Sequence, residues 1–294
     1  SNIRFDGRKE EKGWYTRAYT YGLEEVLPVD VENCPLGKLV KRPIPLFKDS
    51  GLLDFKSKEM KGDTLVCTLP YNCQCTPYIK LRSQKAGQLV KIQTDVHMIG
   101  GSPTVRCEYI TREGEQEYEN MGWFNGHQIW YILPEGVEVL DVKYRESGYG
   151  CDMVEPFHCD DPFFNELWIR AQRTLYITMR DNYMDCPDRE RGQWWGDAVN
   201  ELGETYYALT PDGNKLGMKA LNELFCWQRG DGVLYSPVPA GNWNKELPSQ
   251  ILATTGWYGI YMQCYYANDF SVARRHYDRL HRYLHEVWKT DANG

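Results

Sequence analysis

The segment Asp185-Cys186-Pro187-Asp188-Arg189-Glu190-Arg191-Gly192-Gln193-Trp194-Trp195-Gly196-Asp197 is the densest cluster of reactive side chains in the sequence. Carboxylates recur at 185, 188, 190 and 197, two arginines stand among them, and two adjacent tryptophans follow. One proline and two glycines make the backbone irregular here rather than helical. Acids held beside a ring platform suit the hydrolysis of an acetal. That reaction needs one carboxylic acid to protonate the leaving oxygen, a second carboxylate to activate water or to attack, and flanking groups to grip hydroxyls. Neighbouring carboxylates raise one another's pKa, which helps keep one protonated, while Arg189 and Arg191 oppose that effect. The competing reading is a solvated connection between helices, with Asp197 capping the next helix and the Trp pair in the core.

Helices must frame such a loop, and the flanking sequence supplies their pattern. From Asp161 onward, Phe164, Leu167, Trp168, Ala171 and Leu175 recur at three and four, with Arg170 and Arg173 on the other face. Asp160-Asp161-Pro162 offers a capping acid and a first-turn proline. The periodicity predicts helices over 162–182, 197–209, 214–228, 248–266 and 270–288, separated by the Gly- and Pro-rich breaks 187–196, 210–213 and 229–248. Before residue 150 the period changes to two. Strands are expected over 64–69, 89–94, 104–110, 129–133 and 137–142, parted by turn formers such as Lys61-Gly62-Asp63 and Gly100-Gly101-Ser102-Pro103. Many short strands at this spacing imply an antiparallel β-sandwich or jelly roll. The chain thus divides into a β domain over 1–154 and a helical domain over 155–294.

The composition narrows the remaining function classes. The 294 residues carry 34 Lys+Arg against 41 Asp+Glu, and the basic residues are scattered, which sets nucleic acid aside because phosphate binding needs concentrated cations. No apolar run is long enough for a membrane span, and Ser1-Asn2-Ile3-Arg4-Phe5-Asp6 lacks the basic-then-apolar pattern of a signal, so no membrane role and no compartment is indicated. Ten cysteines are too dilute for a disulfide-stapled scaffold. Trp, Tyr and Phe make up 14% of the chain, and such rings suit sugar-binding clefts as well as cores. Cys73-Gln74-Cys75 and the pair His281 and His285 have metal-ligand spacing but no remaining ligand set, so no metal site is expected. Neither a phosphate-binding glycine loop nor a nucleophile elbow is present, and no cofactor is expected.

Several of these stretches together resemble bacterial α-L-rhamnosidases of glycoside hydrolase family 78. The loop reads Asp-Cys-Pro-x-Arg-Glu-Arg followed by Trp-x-Gly-Asp, which is similar to that family's signature. Cys159-Asp160-Asp161-Pro162-Phe163-Phe164-Asn165-Glu166-Leu167 resembles the stretch that leads into its catalytic domain, and the segment from Tyr118 to Tyr131 resembles a strand pair that lies upstream. Lys41-Arg42-Pro43-Ile44-Pro45-Leu46 is similar to a Pro-Ile-Pro stretch before the family's β-sandwich. The resemblance implies an inverting hydrolase of terminal α-L-rhamnosides, with β-sandwich domains before an (α/α)6 toroid. It makes Glu190 the general acid, and makes Asp185, Arg189 and Asp197 the groups that bind sugar hydroxyls and stabilise the transition state. Trp194 would stack on the sugar, and Trp243 would form a second aromatic wall. The sequence departs from the pattern in two places. The spacing from Asp185 to Glu190 is one shorter than in many members, a form in which Glu190 and not Asp188 is the acid, and Gln128-Ile129-Trp130 replaces an Arg-Tyr pair. The resemblance puts the general base on a much later helix, so about five helices are expected here as the first part of an incomplete toroid. Glu201 and Glu204, one and two turns after Asp197, receive no role. The expected partner is a rhamnose-containing glycoside, and exposed helix faces imply either homo-oligomerisation or a further C-terminal segment. Two alternatives stand beside this reading: a non-catalytic carbohydrate-binding protein that uses Trp194 and Trp243, and a toroid glycosidase for a different sugar.

Overall fold

The computed structural model describes residues 2–11, 13, 16, 40–99, 101–103, 105–239 and 243–288. The first part of the chain forms β1 (Asn2–Asp6), β2 (Lys48–Leu53), β3 (Ser57–Lys61), β4 (Thr64–Ser83), β5 (Leu89–Thr94), β6 (Met98–Ile99), β7 (Ser102–Pro103), β8 (Arg106–Ile110), β9 (Gly114–Glu119), β10 (Phe124–Ile132) and β11 (Val137–Gly148). Nine of these strands are hydrogen-bonded into one sheet, with the path β1-β8-β5-β10-β4-β11-β2 and with β3 and β9 also on β4; β6 and β7 form a separate pair. β4 is the axis of this sheet. Its first half lies between β10 and β3, and its second half between β11 and β9. Cys73, Cys75, Ile79 and Leu81 of β4 are buried at period two. They share one core with Ile92, Tyr109, Ile129, Tyr131, Val142 and Tyr144, so the sheet curls around its own apolar face.

This arrangement differs from the expected antiparallel sandwich in two respects. The two flanks are continuous through β4 rather than separate sheets, and β1 pairs with β8 in parallel. The expected strand over 64–69 is the start of the much longer β4. The strand expected over 104–110 runs over Arg106–Ile110, and residue 104 lies outside the described residues. At the β10 bulge, Gly126 has φ +154°, and a Cβ there would lie 2.5 Å from Asp95 Oδ1; only glycine lets the Asp95 carboxylate accept the His127 and Gln128 N–H groups at 2.9 and 3.0 Å.

The helices are α1 (Pro162–Ile177), α2 (Trp195–Ala208), α3 (Asn214–Cys226), α4 (Pro248–Thr255), α5 (Met262–Ala267), α6 (Ser271–Arg275) and α7 (Tyr277–Arg282). Asp161 caps α1 by accepting the Phe163 N–H at 2.9 Å, with Pro162 in the first turn. α1 stops at Ile177, short of the expected 182, where Met179 and Tyr183 form an isolated β-bridge. The helix expected over 248–266 breaks at Gly256 into α4, a π-helical turn over Trp257–Tyr261 and α5. The helix expected over 270–288 breaks at His276, whose ring stacks on Phe225 of α3 and hydrogen-bonds Asn222 Oδ1 at 2.7 Å. Buried Trp195, Ala198 and Leu202 of α2 share a second core with Leu216, Ala220, Leu221 and Leu224 of α3. α1 is tied to the sheet by polar bonds as well. Gln74 Nε2 donates to the Ile177 and Met179 carbonyls at 2.7 and 3.2 Å, and Arg173 pairs with Glu146 at 2.7 Å.

Candidate active site

The acid loop occupies the gap between the end of α1 and the start of α2, and backbone bonds close it at its base. Asp185 N–H donates to the Gly192 carbonyl, and Gly192 N–H to Asp185 Oδ1, each at 2.9 Å. Arg191 adopts φ +53°, a left-handed conformation that a non-glycine residue takes at a cost, while its Nε donates to the Pro187 carbonyl at 2.8 Å. Gln193, fully buried, anchors the exit of the loop. It accepts the Tyr183 N–H at 3.2 Å and donates to the Val238 carbonyl at 2.6 Å.

The start of α2 is capped from other elements. Ser236 Oγ accepts the Trp195 N–H and Gln250 Oε1 accepts the Gly196 N–H, both at 3.0 Å. Gly196 leaves room for this amide, since a Cβ there would lie 2.7 Å from Gln250 Nε2 and displace it. Asp197 therefore does not serve as the N-cap of α2, and its carboxylate lies in the first turn.

The Trp pair divides between the two readings. Trp195 is fully buried in the helical core, whereas the indole of Trp194 donates to Glu190 Oε2 at 2.7 Å and lies 5.3 Å from the ring of Trp243, tilted by 45°. Arg189 donates to the other Glu190 oxygen. Glu190, Arg189, Trp194 and Trp243 thus form one contiguous set, with Trp243 supplied by the long connection after α3. Residues 240–242 of that connection lie outside the described residues. Asp197 belongs to the same field. Its carboxyl is pushed above the ordinary aspartate value by burial first, and then by the charges of Asp185 and Glu190. Asp185 is committed to loop closure through one oxygen, and Cys186 Sγ lies 3.3 Å from the other. Asp188 is turned to the sheet side, where Asn125 hydrogen-bonds it and burial raises its pKa.

Two groups near the site carry no role in the sequence reading. Glu201, one turn beyond Asp197, has an Oε2 atom shut off from solvent with no hydrogen-bond partner among the described residues, and burial pushes its carboxyl well above the usual range. Its i+4 spacing from Asp197 was the only sequence signal. Trp123, on the connection before β10, lies under the guanidinium of Arg191 at 3.5 Å, a contact that no local pattern announces. Hollows of the surface are lined elsewhere, among them one of about 430 Å³ beside Lys80, Arg112 and Glu115. One of about 260 Å³ lies between α1 and α2 beside Trp168, Gln172 and Glu204, and one of about 410 Å³ lies between β11 and α1 beside Glu146, Arg173 and Tyr176. Among the described residues no group of three or more His, Cys, Asp or Glu could hold a metal ion, and no helix is long and apolar enough to cross a membrane.

Residues 152–294 match the family model of the bacterial alpha-L-rhamnosidase 6 hairpin glycosidase domain. No curated protein matches the sequence. Among solved structures the chain is similar to the alpha-L-rhamnosidase from Dictyoglumus thermophilum, with 21% identity and a TM-score of 0.74 over 94% of this chain and 32% of that one. It is similar to the Streptomyces avermitilis alpha-L-rhamnosidase complexed with L-rhamnose, with 19% identity and a TM-score of 0.77 over 96% and 28% of the two chains. The GH78 family rhamnosidase of Bacillus sp. GL1 matches with 20% identity and a TM-score of 0.65 over 86% and 27%. At these identities the likeness establishes a shared fold. The chain spans about a third or less of the length of each of those proteins.

Proposed function

We propose that the protein, whose residues 152–294 match the family model of the bacterial alpha-L-rhamnosidase 6 hairpin glycosidase domain, acts in removing terminal α-L-rhamnose from rhamnosides with inversion. Glu190 is the general acid that protonates the leaving oxygen. Arg189, Asp185 and Asp197 bind the sugar hydroxyls and stabilise charge in the transition state, Trp194 stacks on the ring, and Trp243 forms the second wall. We read residues 1–154 as the β domain, built on the one curled sheet, and residues 155–294 as the first helices of an (α/α)6 toroid. The observation that carries this reading is the double fixation of the Glu190 carboxyl, one oxygen on Arg189 and the other 2.7 Å from the Trp194 indole nitrogen, beside the Trp194–Trp243 corner. The two bonds fix the place of the carboxyl beside the aromatic corner; to act as the acid, Glu190 gives up one of these partners, carries its proton on the freed oxygen and presents it to the leaving oxygen. Inversion further requires a base carboxylate about 6.5–9.5 Å from the acid, with a water between them, and we assign that role to none of the residues named above.

A series of aryl α-L-rhamnosides of graded leaving-group acidity tests the assignment. Glu190→Gln is expected to lower turnover of the poorest leaving groups by about 10²–10⁴-fold, to spare those that leave without protonation, and to leave rhamnose affinity by calorimetry near its original value. Equal turnover across the series in the variant would remove Glu190 from its role, and preferential hydrolysis of another aryl glycoside would change the sugar.

A further inference from the structure

We propose that Arg180, Arg191 and Trp123 form an oxyanion-binding site at the junction of the sheet and the acid loop, taking a carboxylate or a sulfate group. Both guanidiniums lie over one indole. The central carbon of Arg191 is 3.5 Å, and that of Arg180 4.8 Å, from the Trp123 ring centroid, and Arg180 also lies 4.2 Å from Phe47. All their hydrogen-bond partners are neutral. Arg180 Nη1 donates to Gln74 Oε1 at 2.6 Å and Ser147 Oγ at 3.1 Å, and Arg191 donates to the carbonyls of Pro187 at 2.8 Å and Trp123 at 3.4 Å. Arg145 and Arg173 make a contrast on the same side of the molecule, since each holds a carboxylate, at 2.8 and 2.7 Å.

The acids near the pair are engaged otherwise. Asp181 pairs with Arg42 at 2.5 Å, Glu190 with Arg189, and Asp188 is hydrogen-bonded by Asn125 with its pKa raised by burial. The two half-buried cations on one ring repel one another, and none of the side-chain hydrogen bonds they make among the described residues goes to a carboxylate, so an anion that their planar forks can grip stabilises them. Burial holds both guanidiniums down to about 10, against the opposing charges of Asp181 at Arg180 and of Asp188 at Arg191, and the charge of Arg180 adds to the lowering of Arg191. Of the ring contacts, only that of Trp123 is shared by both arginines, so its fluorescence reports occupancy.

The test titrates the protein with sodium sulfate and with sodium glucuronate, against sodium chloride at matched ionic strength and against glucose, followed by tryptophan fluorescence and calorimetry. Saturable binding of sulfate or glucuronate is expected, weakened at least tenfold in Arg180→Gln and in Arg191→Gln, and less in Arg180→Lys, which keeps the charge. Glucuronate binding more tightly than sulfate would identify a sugar carboxylate as the ligand; the reverse would identify an inorganic anion. Coincident sulfate and chloride curves, or undiminished binding in both Gln variants, would overturn the proposal. Should Arg191→Gln fail to fold, as judged by circular dichroism, the Arg180 pair of variants decides alone. Glu190→Gln is expected to bind sulfate like the parent, so failure of the glycosidase reading and failure of this one are read separately.

Discussion

Glu201 shows how one side chain couples the candidate site to the stability of the fold. Burial holds its carboxyl well above the ordinary glutamate value, and the charges of Asp197, Glu204 and Asp185 act in the same direction against a hydrogen bond from Thr178. The folded chain therefore keeps a proton that the unfolded chain releases. Stability is fullest below the ordinary carboxylate range and falls as pH rises toward the raised folded value, by up to about 1.4 kcal/mol per pH unit. Glu201→Gln is expected to flatten that slope in urea melts between pH 4 and 8, leaving stability at pH 4 unchanged and raising it at pH 8. A slope as steep as the parent's would show that the proton resides elsewhere. Trp194 and Trp195 teach a related point. Adjacent residues at the start of a helix face different ways, so one Trp pair serves both the core and the acid Glu190.

At the scale of elements, Gln193 joins three of them: the turn after α1 through Tyr183, the acid loop itself, and the long connection through Val238. Gln193→Leu leaves a buried N–H and a buried carbonyl without partners, at about 1–3 kcal/mol each. The expected outcome is a loss of about 2–5 kcal/mol in urea unfolding together with weaker rhamnose binding; unchanged stability would mean that the connection holds its place without Gln193. The boundaries of α1 to α3 were legible in the sequence to within about five residues because their apolar spacing, and the Asp161 cap of α1, are local. The breaks at Gly256 and His276 were not. The second depends on Asn222 and Phe225 in another helix, which no periodicity within 270–288 records. β4 was read short because Pro70 and Pro77 interrupt its pattern, and the parallel partner of β1 lies far along the chain at β8. In the site, Glu190 and its loop neighbours were legible as a motif, whereas the placement of Trp123 under Arg191 is a product of tertiary packing.

On the scale of the whole molecule, the helical part carries a row of solvent-exposed rings. Trp257 and Tyr261 stack at 4.2 Å, Tyr261 and Tyr265 at 5.9 Å, and Tyr266 lies edge-on to Tyr265 at 5.2 Å, with all four at least 41% exposed. Because the rings cover one another's faces, the row offers its edges as an apolar ridge. The sedimentation coefficient is expected to rise with concentration, and to rise less in the triple variant Trp257→Ser, Tyr261→Ser, Tyr265→Ser; a coefficient independent of concentration in the parent would count against association through this ridge. The shared strand β4 has a different consequence, which belongs to the making of the chain. During synthesis β4 leaves the ribosome before β9, β10 and β11, and its pairing with the three of them is complete only once residue 148 has been made. At about 5–20 residues per second that wait lasts several seconds. For that interval the longest strand of the sheet has a bare edge, so the pace of translation across the β5 to β11 segment sets how long that edge is open to wrong partners.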